Sequence, residues 1–272
     1  MKTIKILSVL AMIFASVAAF AAAPGKISAS SVSGSVVTIV DGAKKQLAAG
    51  DVFTEKTAVL TSADASAKIV LANGTVIGLE PNTTIEVAQF VQNDPSAVEG
   101  QDFASFSSEP EATFGSMTTV RLVKGVASFK VASLLSSSKL TVETRAGQVT
   151  VKGTTFSVAD NGTHVTVSVV EGNVEVAPTG RASVSLDDGK SVRIPVSGTT
   201  AGTPTFRNVS PEQEAAILAS VGVSSAAAAA PAADEDERVI GLDPELPDYA
   251  QDASVEGPDY GRLPDINSAA SM

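Results

Sequence analysis

His164 is the only histidine among 272 residues, and the chain has no cysteine. Any metal site or Ser–His pair would have to be built around that one ring. It follows the turn signal Asn161-Gly162 and opens a strand-like run, which reads as a strand-edge histidine facing solvent. No serine lies in Gly-x-Ser-x-Gly. Gly189-Lys190-Ser191 has the ending of a phosphate loop, but Val184 stands where that loop needs its first glycine. Asp160-Asn161-Gly162 and Asp187-Asp188-Gly189 lack the ligand spacing of an EF-hand. The run from Asp234 to Glu237 reads as solvated charge rather than a calcium site. Asn-x-Ser/Thr triplets begin at Asn73, Asn82, Asn161 and Asn208, and turn chemistry accounts for the first and third. No catalytic residue, metal ligand or cofactor is assigned, and no enzyme activity is expected.

The elements that must carry these residues are strands. From about Lys26 to Ile194, short Val/Ile/Thr/Ser runs are punctuated by glycine turns. Val165, Val167 and Val169 alternate with Thr166 and Ser168, the period of a strand with one buried face. Asn73-Gly74, Asn161-Gly162 and Asp188-Gly189 are expected as hairpin turns, and Asp41-Gly42 looks similar. The segment 91–116, with Phe103, Phe106, Phe114 and two prolines, reads as a long excursion. Val120–Phe129 aligns with Val167–Val176, placing Gly125 over Gly172, and Ile69–Gly74 aligns with Val184–Gly189. The expected class is all-β: a short β-helix-like or roll-like stack of strands, or a sandwich-like one.

The ends read differently. Two lysines in the first five residues, an apolar stretch from Ile6 to Phe20 and small residues at Ala19 and Ala21 read as a signal peptide over 1–21. The stretch is short for a bilayer span, so no stable membrane anchor is expected after cleavage. Ser210-Pro211-Glu212-Gln213 is a helix start, with one short helix ending near Val221 at Gly222. Residues 231–272 hold eleven acids and two arginines, with five of the 13 prolines, and read as a disordered acidic tail. Within it Pro-Asp-Tyr occurs twice, making Tyr249 and Tyr260 possible docking residues. The formal net charge of −11 argues against general affinity for nucleic acid or anionic membrane.

Several stretches in order resemble the FecR-type periplasmic domain family. They are Leu47–Asp51 with Val59–Ser66, Leu71–Thr75 with Leu79–Ile85, Leu122–Gly125, Val151–Val158 and Val167–Val176. The resemblance covers roughly 35–195, and the last two stretches are its most specific part. On the residues alone, Gly153 lets the backbone turn, Thr154 satisfies polar groups beside it, and Phe156 and Val158 fill one face. Glu171-Gly172 makes a tight turn between Val170 and Val174. These motif residues, with Val169, are expected to be structural.

The resemblance implies an extracytoplasmic interaction or sensory module, periplasmic or extracellular, whose partner is an envelope or surface protein. With five residues ahead of the apolar stretch, the sigma-factor-binding cytoplasmic region of sensor members is not expected here. The alternative is a structural protein that self-associates through strand edges. The expected organisation is a signal peptide (1–21), a FecR-like β domain (26–200), a linker and short helix (201–225) and a disordered acidic tail (226–272).

Overall fold

A computed structural model describes residues 22–93, 115–198 and 200–222. Nineteen strands and one helix occupy them. One sheet, A, runs β4 (Ala43–Gln46), β3 (Val36–Val40), β6 (Thr57–Thr61), β9 (Thr84–Gln92), β10 (Ser116–Lys130), β11 (Lys139–Thr144), β12 (Gly147–Val151), β15 (Val174–Pro178) and β16 (Val184–Leu186). The short β1 (Ala23–Pro24) pairs with the far end of β9. The other sheet, B, runs β5 (Val52–Phe53), β2 (Ile27–Ser33), β7 (Ser66–Leu71), β8 (Val76–Leu79), β10 again, β13 (Thr155–Asp160), β14 (His164–Glu171), β17 (Lys190–Ser197) and β19 (Thr205–Asn208). β18 (Thr200–Ala201) folds back on the end of β17. β10 belongs to both sheets, so the pairing is continuous through it and open at four edges.

Of the arrangements the sequence leaves open, this is the roll-like or sandwich-like one. β10 with β11 is the single parallel pairing among the described residues. A β-helix needs parallel coils in constant register, whereas all the other pairings here are antiparallel and several are closed by hairpin turns. Alternation supplies the core. Ile85, Val87, Val120, Leu122, Val142 and Val149 of sheet A face Ile69, Ile77, Ala127, Phe129, Phe156, Val158 and Val167 of sheet B in one buried cluster. Each buried Val, Leu, Ile or Phe contributes about 1.5–3 kcal/mol. Phe129 and Phe156, opposite each other in sheet B, stack with centroids 4.8 Å apart.

Turn chemistry closes the hairpins at 41–42, 73–74 and 161–162. Asp188-Gly189 differs from expectation, because it is a crossing rather than a hairpin. β16 stays in sheet A while β17 joins sheet B. The turn is fastened sideways: Gly189 N–H donates to Val169 O, and Asp188 Oδ1 accepts from Gly172 N–H at 2.6 Å. The 91–116 excursion lies mostly outside the described residues, but its ends are paired, Gln92 against Ser116.

The helix α1 (Pro211–Ser220) starts at the expected cap: Ser210 Oγ accepts from Gln213 N–H, and Gln213 returns the bond to the Ser210 backbone. It packs on the outer side of sheet B, against β8, β10 and β13. Its anchors are Ile217 and Val221, the latter against Val70 and Val76. β19 lies in the segment expected as linker and pairs with β17. None of the described helices is long and apolar enough to cross a membrane.

Candidate functional site

Gly125 and Gly172, aligned in sequence, do the same job in space. Gly125 (φ +90°) is the point where β10 leaves sheet A for sheet B. Gly172 (φ +91°) is the point where the chain leaves β14 in sheet B for β15 in sheet A. A side chain is disfavoured in this left-handed region. There is no room for one either. A Cβ on Gly125 would overlap Thr83, and one on Gly172 would lie 2.7 Å from Gly153 O.

Each corner has a buried threonine whose hydroxyl bonds the backbone just past the glycine. Thr83 Oγ1 accepts from Val126 N–H at 2.9 Å and donates to Val126 O at 3.1 Å. Thr154 Oγ1 donates to Asn173 O at 2.9 Å. Thus Gly153 and Thr154 sit against Gly172, and the two motif stretches meet. Phe156, Val158, Val169 and Val174 are fully buried beneath them, while Glu171 is exposed. Asn173 Nδ2 reaches onward to Asp187 Oδ1, Ser185 Oγ and Leu186 O.

The departure of β10 also opens a cleft. Its pairing with β11 stops at Arg121 opposite Glu143, while β11 continues along β12 to Thr144. The gap, about 390 Å³, is lined by Leu122 and Val123 on one side and by Glu143 to Arg145 and Gln148 on the other. Val123 is 48% exposed at its mouth. Arg121 bridges Glu86 at 2.6 Å and Glu143 at 3.2 Å across the outer face of sheet A. Arg145 forms a fork with the buried Asp160 carboxylate and so ties the β11–β12 turn to sheet B. That hydrogen bond raises the pKa of the Arg145 guanidinium. Sequence reading missed this cleft, because its residues come from three separate stretches and none forms a local motif.

Residues 57–175 match the family model described as FecR protein. This segment of the chain is similar to the FecR family. The match runs from β6 into β15, so it includes both corners and the cleft. The matched segment is completed by strands outside it: β2 pairs with β7, β3 with β6, and β17 with β14. Two crystal structures of a "putative anti-sigma factor" from Parabacteroides distasonis are similar, at 21% and 22% identity, with TM-scores of 0.43 and 0.42. The matches cover 59% and 58% of this chain and 63% and 62% of the other, under two thirds of its length. No curated protein matches the sequence.

Among the described residues, no group of three His, Asp or Glu side chains could hold a metal ion. His164 is partly exposed at the head of β14, its ring against Arg193, Thr163 and Asn161. Desolvation, then the Arg193 charge, push its pKa below the ordinary value, against the pull of Asp160. Tyr249 and Tyr260 lie outside the described residues.

Proposed function

We propose that this is a non-enzymatic, extracytoplasmic FecR-type β domain that acts by protein contact in the bacterial envelope. The observation that carries the reading is the FecR match at 57–175. The leader-like first 21 residues support export, and the acidic composition speaks against nucleic acid. The motif residues Gly153, Thr154, Phe156, Val158, Val169, Glu171, Gly172 and Val174 serve the corner, and recognition is sought elsewhere. The cleft beside β10 is the contact surface this reading favours: two strand edges diverge there, and an extended peptide can pair with such edges. The acidic tail, with Tyr249 and Tyr260, is a tether or a second contact.

One observation favours the alternative, self-association. β19 is a four-residue edge, exposed throughout, with Phe206 55% exposed. The other three edges are blunted: β5 and β16 have two and three residues, and β4 carries Lys44 and Lys45.

A photo-crosslinking residue placed at Val123, and separately at Phe206, in the full chain distinguishes the two. A discrete heterologous adduct from Val123 in the envelope fraction supports partner binding at the cleft. Adducts between copies from Phe206 alone overturn it in favour of the structural reading. Export is tested by N-terminal sequencing of the fractionated protein, which should begin at Ala22.

A further inference from the structure

The turn between β13 and β14 gathers acid–base groups around an Asn-Gly pair. Gly162 N–H donates to Asp160 Oδ1 at 2.9 Å. Asn161 Oδ1 accepts three hydrogen bonds: from Thr163 N–H at 3.0 Å, Thr163 Oγ1 at 3.0 Å and His164 N–H at 3.1 Å. Asn161 Nδ2 lies 3.1 Å from His164 Nε2. The two backbone N–H groups fix the amide orientation, since the flipped amide would set its NH2 against them.

The His164 tautomer follows from Arg193. Its Nη2 approaches His164 Nδ1 at 2.9 Å, and a guanidinium can only donate. Nδ1 is therefore the acceptor, and the ring proton sits on Nε2. Desolvation and the Arg193 charge lower the pKa of the ring, in keeping with an unprotonated Nδ1. Hence an N–H on His164 faces the NH2 of Asn161, which is a donor against a donor. A planar amide nitrogen offers no lone pair to this proton. A tetrahedral amine nitrogen does. The contact is poor in the ground state and favourable only once the amide carbon has been attacked.

We propose that Asn161-Gly162 is a self-modifying turn that cyclises to a succinimide. Gly162 N attacks Asn161 Cγ and passes its proton to the Asp160 carboxylate. Negative charge gathers on Asn161 Oδ1, where the three donors already stand at the distances an oxyanion requires. The tetrahedral nitrogen accepts a hydrogen bond from His164 Nε2–H, takes through water the proton that Asp160 received, and leaves as ammonia as the Cγ–Nδ2 bond breaks. Asp160 is thereby returned to its carboxylate, and His164 keeps its ring proton. A second water opens the ring to aspartate or isoaspartate. One C–N bond forms, one breaks, and nothing is oxidised or reduced. A Cβ on Gly162 would have nothing within 4 Å, so no neighbouring atom crowds that side of the turn. The product places a carboxylate beside His164 and Arg193.

Asn73-Gly74 is a control in the same molecule. It has the same dipeptide, but Asn73 is 2% exposed, its Nδ2 donates to Ser116 Oγ, and Gly74 N–H donates to Leu71 O rather than to a carboxylate.

The test ages the purified full chain at neutral pH and follows both sites by peptide mapping with isoaspartate detection, folded and in urea. Asn161 should convert faster folded than unfolded, and Asn73 slower folded than unfolded. His164→Gln, checked for an unchanged urea midpoint, should slow folded-state conversion at Asn161 by about tenfold, the worth of one hydrogen bond made only after attack. Thr163→Val, which removes one oxyanion donor, should slow it as well. Conversion at Asn161 that is no faster folded than unfolded overturns the proposal. An unchanged rate in His164→Gln also overturns it.

Discussion

The two corners use one backbone solution in two settings. At Gly125 a single strand turns from sheet A into sheet B, and the turn is fastened from its buried side, while Val123 and Lys124 before it are exposed. Thr83 is fully buried, its own N–H donates to Thr61 Oγ1 at 2.9 Å, and Thr61 in turn donates to Glu80 O. At Gly172 the chain passes between strand ends, and its outer contacts are the exposed side chains of Asp187, Asp188 and Asn173. Water can replace more of the second set than of the first. Equal geometry should therefore carry unequal cost.

The largest expected effect is at the buried corner. Gly125→Ala combines a left-handed backbone with overlap onto Thr83, and should cost about 3–4 kcal/mol in urea unfolding. Gly172→Ala should cost about 2 kcal/mol, because the neighbouring turn at Gly153 can shift outward. Equal losses at the two glycines would break the comparison. Next come the threonines. Thr83→Val strands the half-buried Val126 N–H and should cost about 2 kcal/mol, whereas Thr154→Val strands only a carbonyl near solvent and should cost about 1 kcal/mol. Unfolding curves of the two single variants decide the order.

The smallest effect sharpens the buried corner through pH. Burial raises the Glu80 pKa, so its ionised form is the less favoured one in the fold. Its folded value lies above its unfolded value. The protein therefore gains stability from this group as pH falls through the folded pKa, and carries the penalty at neutral pH. Glu80→Gln should have the higher urea midpoint at neutral pH, and the advantage should vanish on acidification below the ordinary carboxylate range. A pH-independent difference would remove Glu80 desolvation from the account.

Much of this architecture was legible in local chemistry. The alternation of Val165, Val167 and Val169 marks β14, and Ser210 with Gln213 marks the start of α1. Those signals depend on neighbours within a few residues, so they survive without knowledge of the fold. Asp188-Gly189 shows where that stops. Its composition says turn, but the Asp188 bond to Gly172, sixteen positions away, makes it a crossing. The Gly125–Gly172 alignment was visible as a weak repeat, and its meaning was not, since φ and pairing partner depend on which sheet each flank joins.

The amino-acid sequence by itself determined that the described chain is built of strands, that its motif glycines sit at turns and that one capped helix follows, because backbone propensity and apolar periodicity are local. Only the tertiary structure decided that β10 is shared by two sheets, that a cleft opens where it leaves β11, and that His164, Arg193 and Asp160 converge on Asn161. Those arrangements rest on contacts between distant stretches, and no local pattern records which strands pair.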